Sequence, residues 1–102
     1  MARYLFAYHG GAMAETEEEM AKVMGQWEAW YGSLGAAIVD GGAAAIPMQT
    51  VAADGSVVGS ENGVTGYTVV SADSLDDAVD KAKGCPIRES GGSIEVAELI
   101  EM

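Results

Sequence analysis

The chain contains a single histidine, His9, and its position suits proton transfer. It ends an aromatic-rich run that Gly10 and Gly11 terminate, which is typical of a strand that leads into a flexible turn. Because an imidazole titrates near neutral pH, a histidine at the mouth of a sheet can act as a general acid or base. We therefore predict a catalytic role for His9. The alternative is a partly exposed residue at the end of a strand.

Two further residues reach the same edge of the predicted sheet. The first and second strands run parallel with the third between them, so Asp40 lies two strand spacings from His9, about 10 Å away. The third strand begins at this edge with Tyr67, whose ring can lie between the other two side chains. The sequence thus predicts a catalytic constellation of His9, Tyr67 and Asp40. Alternatively, Tyr67 is a core residue and Asp40 opens a turn before two glycines.

Aromatic residues in the first predicted helix suggest where a ligand would bind. An apolar stripe recurs there at three- and four-residue spacing: Met20, Val23, Met24, Trp27, Tyr31 and Leu34. Trp30 lies at the margin of this stripe, where an amphipathic ring can border a pocket. We predict that Trp27 and Trp30 are ligand-binding residues in a cleft between the helix and the sheet, although such a stripe is more often packed core.

The sequence predicts neither a cofactor nor a metal site. Cys85 is the single cysteine, so an internal disulfide is excluded and sulfur ligands for structural zinc are too few. It follows a predicted helix C-terminus, where the dipole disfavours a thiolate, and we expect a buried structural residue. The carboxylates that start the first helix point around its axis, and neither Gly-Gly pair has the lysine and hydroxyl residues of a phosphate loop.

The secondary-structure pattern positions these residues. Thr16 and Glu19 form a capping box that starts a helix, and Gly35 ends that helix. Ser74 caps a second helix, whose Leu75, Ala78, Val79 and Ala82 are predicted to face the sheet. Strands are predicted at residues 4–9, 36–40, 67–72 and 93–100, with a hairpin turning at residues 54–55. This order predicts an α+β fold, a ferredoxin-like βαββαβ unit with a four-stranded antiparallel sheet and an extra hairpin.

Both faces of the predicted sheet are apolar, although only two helices are available to cover it. Alternate residues of the first strand, Phe6 on one face and Leu5 on the other, are hydrophobic, and the third strand behaves similarly. A second copy of the chain, packed sheet against sheet, would bury the uncovered face. We predict a homodimer.

Composition limits the class of partner. The 102 residues suit one domain, residues 1–102, and the formal net charge of -11 repels nucleic acids and anionic membranes. No apolar run approaches the ~20 residues that span a bilayer, and the N-terminus leads directly into a strand instead of a signal peptide. These features predict a cytoplasmic protein without nucleic-acid or membrane partners.

Much of the chain resembles the YCII-related family of dimeric α+β-barrel proteins. The similar segments are residues 72–79, the helix exit at 83–86, the last strand at 92–96, and residues 27–40 with their Gly-Ser-Leu-Gly corner. The resemblance implies a ferredoxin-like protomer, a dimer with facing sheets, and a cleft suspected of enzymatic activity. One branch of the family pairs a histidine in the first helix with an aspartate at its end. Here that helix has no histidine and ends in Gly32-Ser33, so this pair is not transferred.

Three functions are consistent with these features. The first is an enzyme that uses His9 as general acid or base on a small apolar or aromatic substrate. The second is a module that binds such a molecule without turnover. The third is a structural dimer without a pocket. The glycine-rich mouth beside His9 favours the first two.

Overall fold

The computed structural model describes residues 1–11, 14–60 and 62–100. Its long strands are β1 (Ala2–His9), β2 (Ile38–Ala44), β5 (Val64–Ala72) and β6 (Ser93–Leu99), with a hairpin of β3 (Thr50–Val51) and β4 (Val57–Val58). Helix α1 (Glu17–Leu34) connects β1 to β2, and α2 (Leu75–Ala82) connects β5 to β6. The long strands form an antiparallel sheet in the order β2-β5-β1-β6. The predicted ferredoxin-like α+β topology is confirmed.

The helix boundaries follow from the predicted caps. The Thr16 hydroxyl accepts a hydrogen bond from the Glu19 amide at 3.1 Å, and Glu19 accepts one from the amide of Glu15 at 3.0 Å. Gly35 ends α1 with a φ of 53°. The hydroxyl of Ser74 caps α2 in the same way, through the Asp77 amide.

Helix α1 is buried only along the C-terminal part of the predicted apolar stripe. Trp27, Tyr31 and Leu34 pack in or against the core, whereas Met20 and Met24 are 47% and 55% exposed, so the expectation of a packed stripe fails at its N-terminal end. The physical reason is that the core contacts of α1 lie in its last two turns, where the Trp30 indole stacks on Phe6 and donates from Nε1 to the carbonyl oxygen of Lys81 in α2 at 3.0 Å. The indole thereby fills the space between the sheet and both helices.

Other sequence-based boundaries need correction. Leu75 at the start of α2 is 49% exposed, so only the later apolar residues of that helix face the sheet. Strand β2 begins two residues later than predicted because residues 35–37 form a 3-10 turn, and it continues to Ala44. Glycine and alanine are poor strand formers, but pairing with β5 overrides that preference: Ala43 lies opposite Tyr67, and Ala44 lies opposite Gly66.

The sheet has one helix-covered face and one open face. Tyr4, Phe6 and Tyr8 pack in the core beneath the helices. The alternate residues of β1 point away from that core, and their register partners include Tyr67, Val69, Ala97 and Leu99. No described helix covers this open face, and neither α1 nor α2 is long and apolar enough to cross a membrane.

Candidate functional site

A cavity of about 350 Å³ lies between α1 and the edge of the sheet formed by β2 and β5. Helix α1 contributes Trp27 and Tyr31, while β1 contributes Tyr8. The other lining residues come from the glycine-rich segment of β2, from β5, and from the chain just before β6: Gly41, Gly42, Ala43, Ala44, Thr65, Gly66, Tyr67 and Ile87. The volume is within the range of small-molecule sites, which begin at ~300 Å³.

Aromatic contacts fix the wall that α1 presents to the cavity. The Trp27 ring meets the Tyr8 ring edge to face, with centroids 5.0 Å apart. Tyr31 stacks on Trp30 at 5.5 Å, so the buried indole supports the ring that borders the cavity. The wall is therefore apolar and held in place by the core behind it.

Tyr8 and Tyr31 line the cavity and contact the hydroxyl of Thr68, which is fully buried behind them and is not among the described lining residues; we call this the inner end of the cavity. The Tyr8 hydroxyl donates to Oγ1 of Thr68 at 2.8 Å, and the Tyr31 hydroxyl lies 3.0 Å from the same atom. Thr68 itself donates to the carbonyl oxygen of Gly41 at 3.3 Å, and this carbonyl is 3.4 Å from the Tyr31 hydroxyl. Burial raises the pKa of Tyr8 far above its usual value, so its hydroxyl stays protonated at neutral pH. We call Tyr8, Thr68 and Tyr31 the hydroxyl cluster.

A bulge in β2 aims the Gly41 carbonyl at this cluster. The register with β5 shifts between Asp40 and Ala43, and Gly42 has a φ of 74°. A side chain at Gly42 would overlap the carbonyl oxygen of Tyr67, so glycine is required there. Oδ1 of Asp40 accepts a hydrogen bond from the Gly42 amide at 2.8 Å and holds the bulge closed.

His9 occupies a different site, on the open face. Its side chain is buried, and Nδ1 donates to the Asn62 carbonyl oxygen at 2.9 Å, since a carbonyl can only accept. Nε2 lies 2.8 Å from Oε1 of Glu95 but without the alignment of a hydrogen bond. Glu95 of β6 lies opposite Ala7 of β1, and Ala7 is two residues before His9 in that strand. The structure thus gives the imidazole a carboxylate neighbour that the sequence did not indicate.

The predicted site residues fall in separate places. Trp27 and Tyr67 line the cavity, whereas His9, Asp40 and Trp30 are not among the described residues that line it. Trp30 belongs to the core, and Asp40 holds the bulge. Tyr67 lies opposite Ala7 and alternates with buried Gly66 and Thr68, so its ring points to the open face, which it shares with His9, and only its main chain can border the cavity.

Sequence reasoning missed the hydroxyl cluster. Tyr31 was assigned only to the apolar stripe, and Tyr8 only to the first strand. The sequence carried no distinguishing signal for this cluster, because β5 also contains Thr65 and Ser71 and the full burial of Thr68 is a property of the folded structure. A buried hydroxyl requires partners, which Tyr8 and Tyr31 supply.

Two further features of the described residues concern the thiol and metal binding. Cys85 is buried, as expected, and burial raises the pKa of its thiol to about 11. Within residues 1–11, 14–60 and 62–100, no group of three or more histidine, cysteine or acidic side chains could hold a metal ion.

The fold defines a class of protein, and comparison with known structures supports it. The chain is an α+β protein with two helices on a four-stranded antiparallel sheet in ferredoxin-like order. It is similar in structure to 5-chloro-2-hydroxyhydroquinone dehydrochlorinase from Burkholderia phenoliruptrix AC1100, solved in complex with 2,5-dihydroxybenzoquinone. The TM-score is 0.56 at 15% sequence identity, over 96% of this chain and 95% of that one, a likeness that shows the fold. No protein-family model and no curated protein sequence matches the chain.

Proposed function

We propose that this protein binds a small aromatic molecule in the cavity beneath α1. The observation that supports this most directly is the combination of aromatic walls with a hydroxyl cluster at the inner end of a 350 Å³ space. Small-molecule sites are mostly apolar with a few placed polar groups, which this arrangement matches. The dehydrochlorinase of similar fold was solved with a quinone bound, and the resemblance to YCII-related proteins is part of the same proposal.

The two tryptophans provide the experiment. Trp27 lines the cavity, whereas the Trp30 indole N–H is bonded to Lys81 in the core, so the chain contains a probe and its own control. When one- and two-ring aromatic compounds are added to 15N-labelled protein, the Trp27 indole signal should shift and saturate while that of Trp30 stays in place. If neither signal moves at millimolar concentrations of any compound, the proposal is wrong.

The catalytic form of the proposal uses His9 as general acid or base. Because His9 does not line the cavity, its substrate must reach the open face, where Oε1 of Glu95 lies 2.8 Å from Nε2 and supports a role of the imidazole in proton transfer. The other two residues of the predicted catalytic set are Tyr67, which lies on the same face of the sheet as His9, and Asp40, which accepts the hydrogen bond that holds the β2 bulge. With a compound that is turned over, His9→Ala should lower kcat ~10²–10⁴-fold without loss of binding. Binding without turnover would instead support the alternative of a ligand-binding module.

We further propose that two copies of the chain pack through their open faces. This face contains Leu5 and Val69 opposite one another, and no described helix covers it. Val69→Glu should shift a dimer toward monomer in analytical ultracentrifugation, because it places charges in the interface. Met24→Glu, on the exposed side of α1, is the matched control and should leave the dimer intact. A wild-type monomer at micromolar concentration would contradict this arrangement.

A further inference from the structure

The protons of the hydroxyl cluster can be counted. Each hydroxyl has one proton to donate and two lone pairs that accept. Tyr8 gives its proton to Thr68. Two arrangements of the other two protons fit the contacts: Thr68 donates to the Gly41 carbonyl and Tyr31 donates to Thr68, or Thr68 donates to Tyr31 and Tyr31 donates to the Gly41 carbonyl.

This inventory determines what the cluster can offer to a ligand. All three protons are used within the protein, whereas the phenolic oxygens of Tyr8 and Tyr31 keep lone pairs. The inner end of the cavity therefore accepts hydrogen bonds and does not donate them without breaking one of its own. The Thr65 hydroxyl likewise donates its proton within the protein, to the carbonyl oxygen of Tyr8 at 3.2 Å.

The other residues that line the cavity do not favour a charged ligand. Among the described residues that line the cavity there is no lysine, arginine, histidine, aspartate or glutamate. An anionic ligand would lose its hydration without gaining a cation, in a chain of net charge -11. Trp27 adds an indole N–H, which can donate a hydrogen bond but not accept one. A ligand group that both donates and accepts hydrogen bonds therefore suits the site.

We infer that the ligand of this cavity is a neutral hydroxylated aromatic, a phenol-type compound whose O–H donates to the oxygen of Tyr31 or Tyr8. The inference rests on the proposed binding function and adds to it the chemical class of the ligand. Ethers and carbonyl compounds of the same shape lack the donor that the cluster needs. Carboxylates lack the donor and carry a charge that no lining residue balances.

Three naphthalene derivatives of similar size test this inference: 2-naphthol, 2-methoxynaphthalene and 2-naphthoate. Their dissociation constants can be measured at pH 7 by titration of the Trp27 indole signal. We expect 2-naphthol to bind roughly 3- to 10-fold more tightly than the methoxy compound, the contribution of one hydrogen bond. The carboxylate should bind most weakly, by about tenfold or more.

Variants of the cluster separate the hydrogen bond from general affinity. Thr68→Val removes the hydroxyl that contacts both tyrosines and frees the Tyr8 proton, while Tyr31 keeps the Gly41 carbonyl as its acceptor. The freed proton can be donated to the oxygen of either compound, so the preference for naphthol over the methoxy compound should fall to within about twofold. Thr68→Ser keeps the hydroxyl and should keep the preference. If Thr68→Val does not fold, Tyr31→Phe serves instead, since it deletes one of the two accepting oxygens and should reduce the preference.

The outcomes distinguish this inference from the proposal on which it rests. If none of the three compounds moves the Trp27 signal, the binding function itself is overturned. If all three bind with equal affinity, or if the carboxylate binds best, binding stands and the assignment of ligand class is overturned. A preference for naphthol that survives Thr68→Val would also contradict it, because the cluster would then not be its source.

Discussion

The two faces of the sheet hold their polar side chains by different means. Beneath α1, Tyr8 and Thr68 are buried and neutral, and they share protons with Tyr31 and a main-chain carbonyl. On the open face, buried His9 contacts a carboxylate, that of Glu95, which is 72% exposed. The difference follows from desolvation: neutral hydroxyls can be buried once hydrogen-bonded, whereas an ionised carboxylate is kept where water reaches it.

This comparison assigns the two sites different tasks. The helix-covered site is rigid and apolar apart from its hydroxyls, which suits recognition of an uncharged ring. The open-face site contains the only histidine of the chain, which suits proton transfer or contact with a second copy. Substitutions that affect one site and spare the other should separate these tasks.

The largest effect is expected in the core that supports the cavity. Trp30→Ala removes a nearly fully buried indole that contacts Phe6 and α2, and should lower the free energy of unfolding by about 3–5 kcal/mol. Trp27→Ala, at a half-buried position, should cost less stability but abolish the aromatic binding response. Urea denaturation followed by ligand titration measures both. Equal losses of stability would show that the two tryptophans are not divided between core and cavity.

The next effect concerns the bulge of β2. Gly42→Ala forces a side chain into a left-handed conformation and against the carbonyl of Tyr67, at a cost of about 2–4 kcal/mol. Gly41→Ala is the matched control, because a side chain there meets open space, and should change stability by less than about 1 kcal/mol. Thermal denaturation compares them. Similar melting temperatures would show that the bulge adapts.

A smaller effect is expected on the open face. His9→Gln loses the hydrogen bond to the Asn62 carbonyl and should destabilise by about 1–2 kcal/mol. Glu95→Gln should lower the free energy of unfolding by less than about 1 kcal/mol, because the Glu95 side chain of the His9–Glu95 pair is exposed to solvent. Neither variant should alter 2-naphthol affinity if the two sites are independent. A change in that affinity would mean that the faces are coupled.

The smallest effect is a pH dependence from the helix-covered core. Burial raises the pKa of the Cys85 thiol from 9.0 to about 11, so the folded state disfavours the thiolate. The unfolded chain ionises first, and stability from this group is present below pH 9 and lost as the pH rises toward 11. Urea midpoints between pH 8 and 11 should fall less steeply in Cys85→Ala than in the wild type. Identical slopes would show that the thiol is not protected.

The sequence predicted the fold well because its local signals agreed. The Thr16 capping box, Gly35 and Ser74 each mark a helix boundary through backbone requirements that hardly depend on the rest of the molecule. The length of the α1 stripe that is buried could not be predicted in this way. It depends on where the helix crosses the core, at the Trp30 indole that contacts Phe6 and α2, which is a property of packing and not of periodicity.

The candidate site was predicted only in part. Trp27 lines the cavity and the main chain of Tyr67 borders it, but strand ends alone did not reveal that the side chains of His9 and Tyr67 point to the open face. Side-chain direction alternates with each residue, and a bulge reverses it, so one register shift changes which residues meet. The roles of His9, Asp40 and Tyr67 in catalysis stay predictions.

The bulge in β2 has a consequence for how this protein tolerates substitution. The terminal acceptor of the hydroxyl cluster is the Gly41 carbonyl, which belongs to the main chain and is present whatever side chain occupies that position. Variants that retain the kink can exchange the surrounding side chains and still present the same oxygen to a hydroxyl that replaces Thr68. The path of this edge strand therefore matters more to the cluster than the identity of most residues along it.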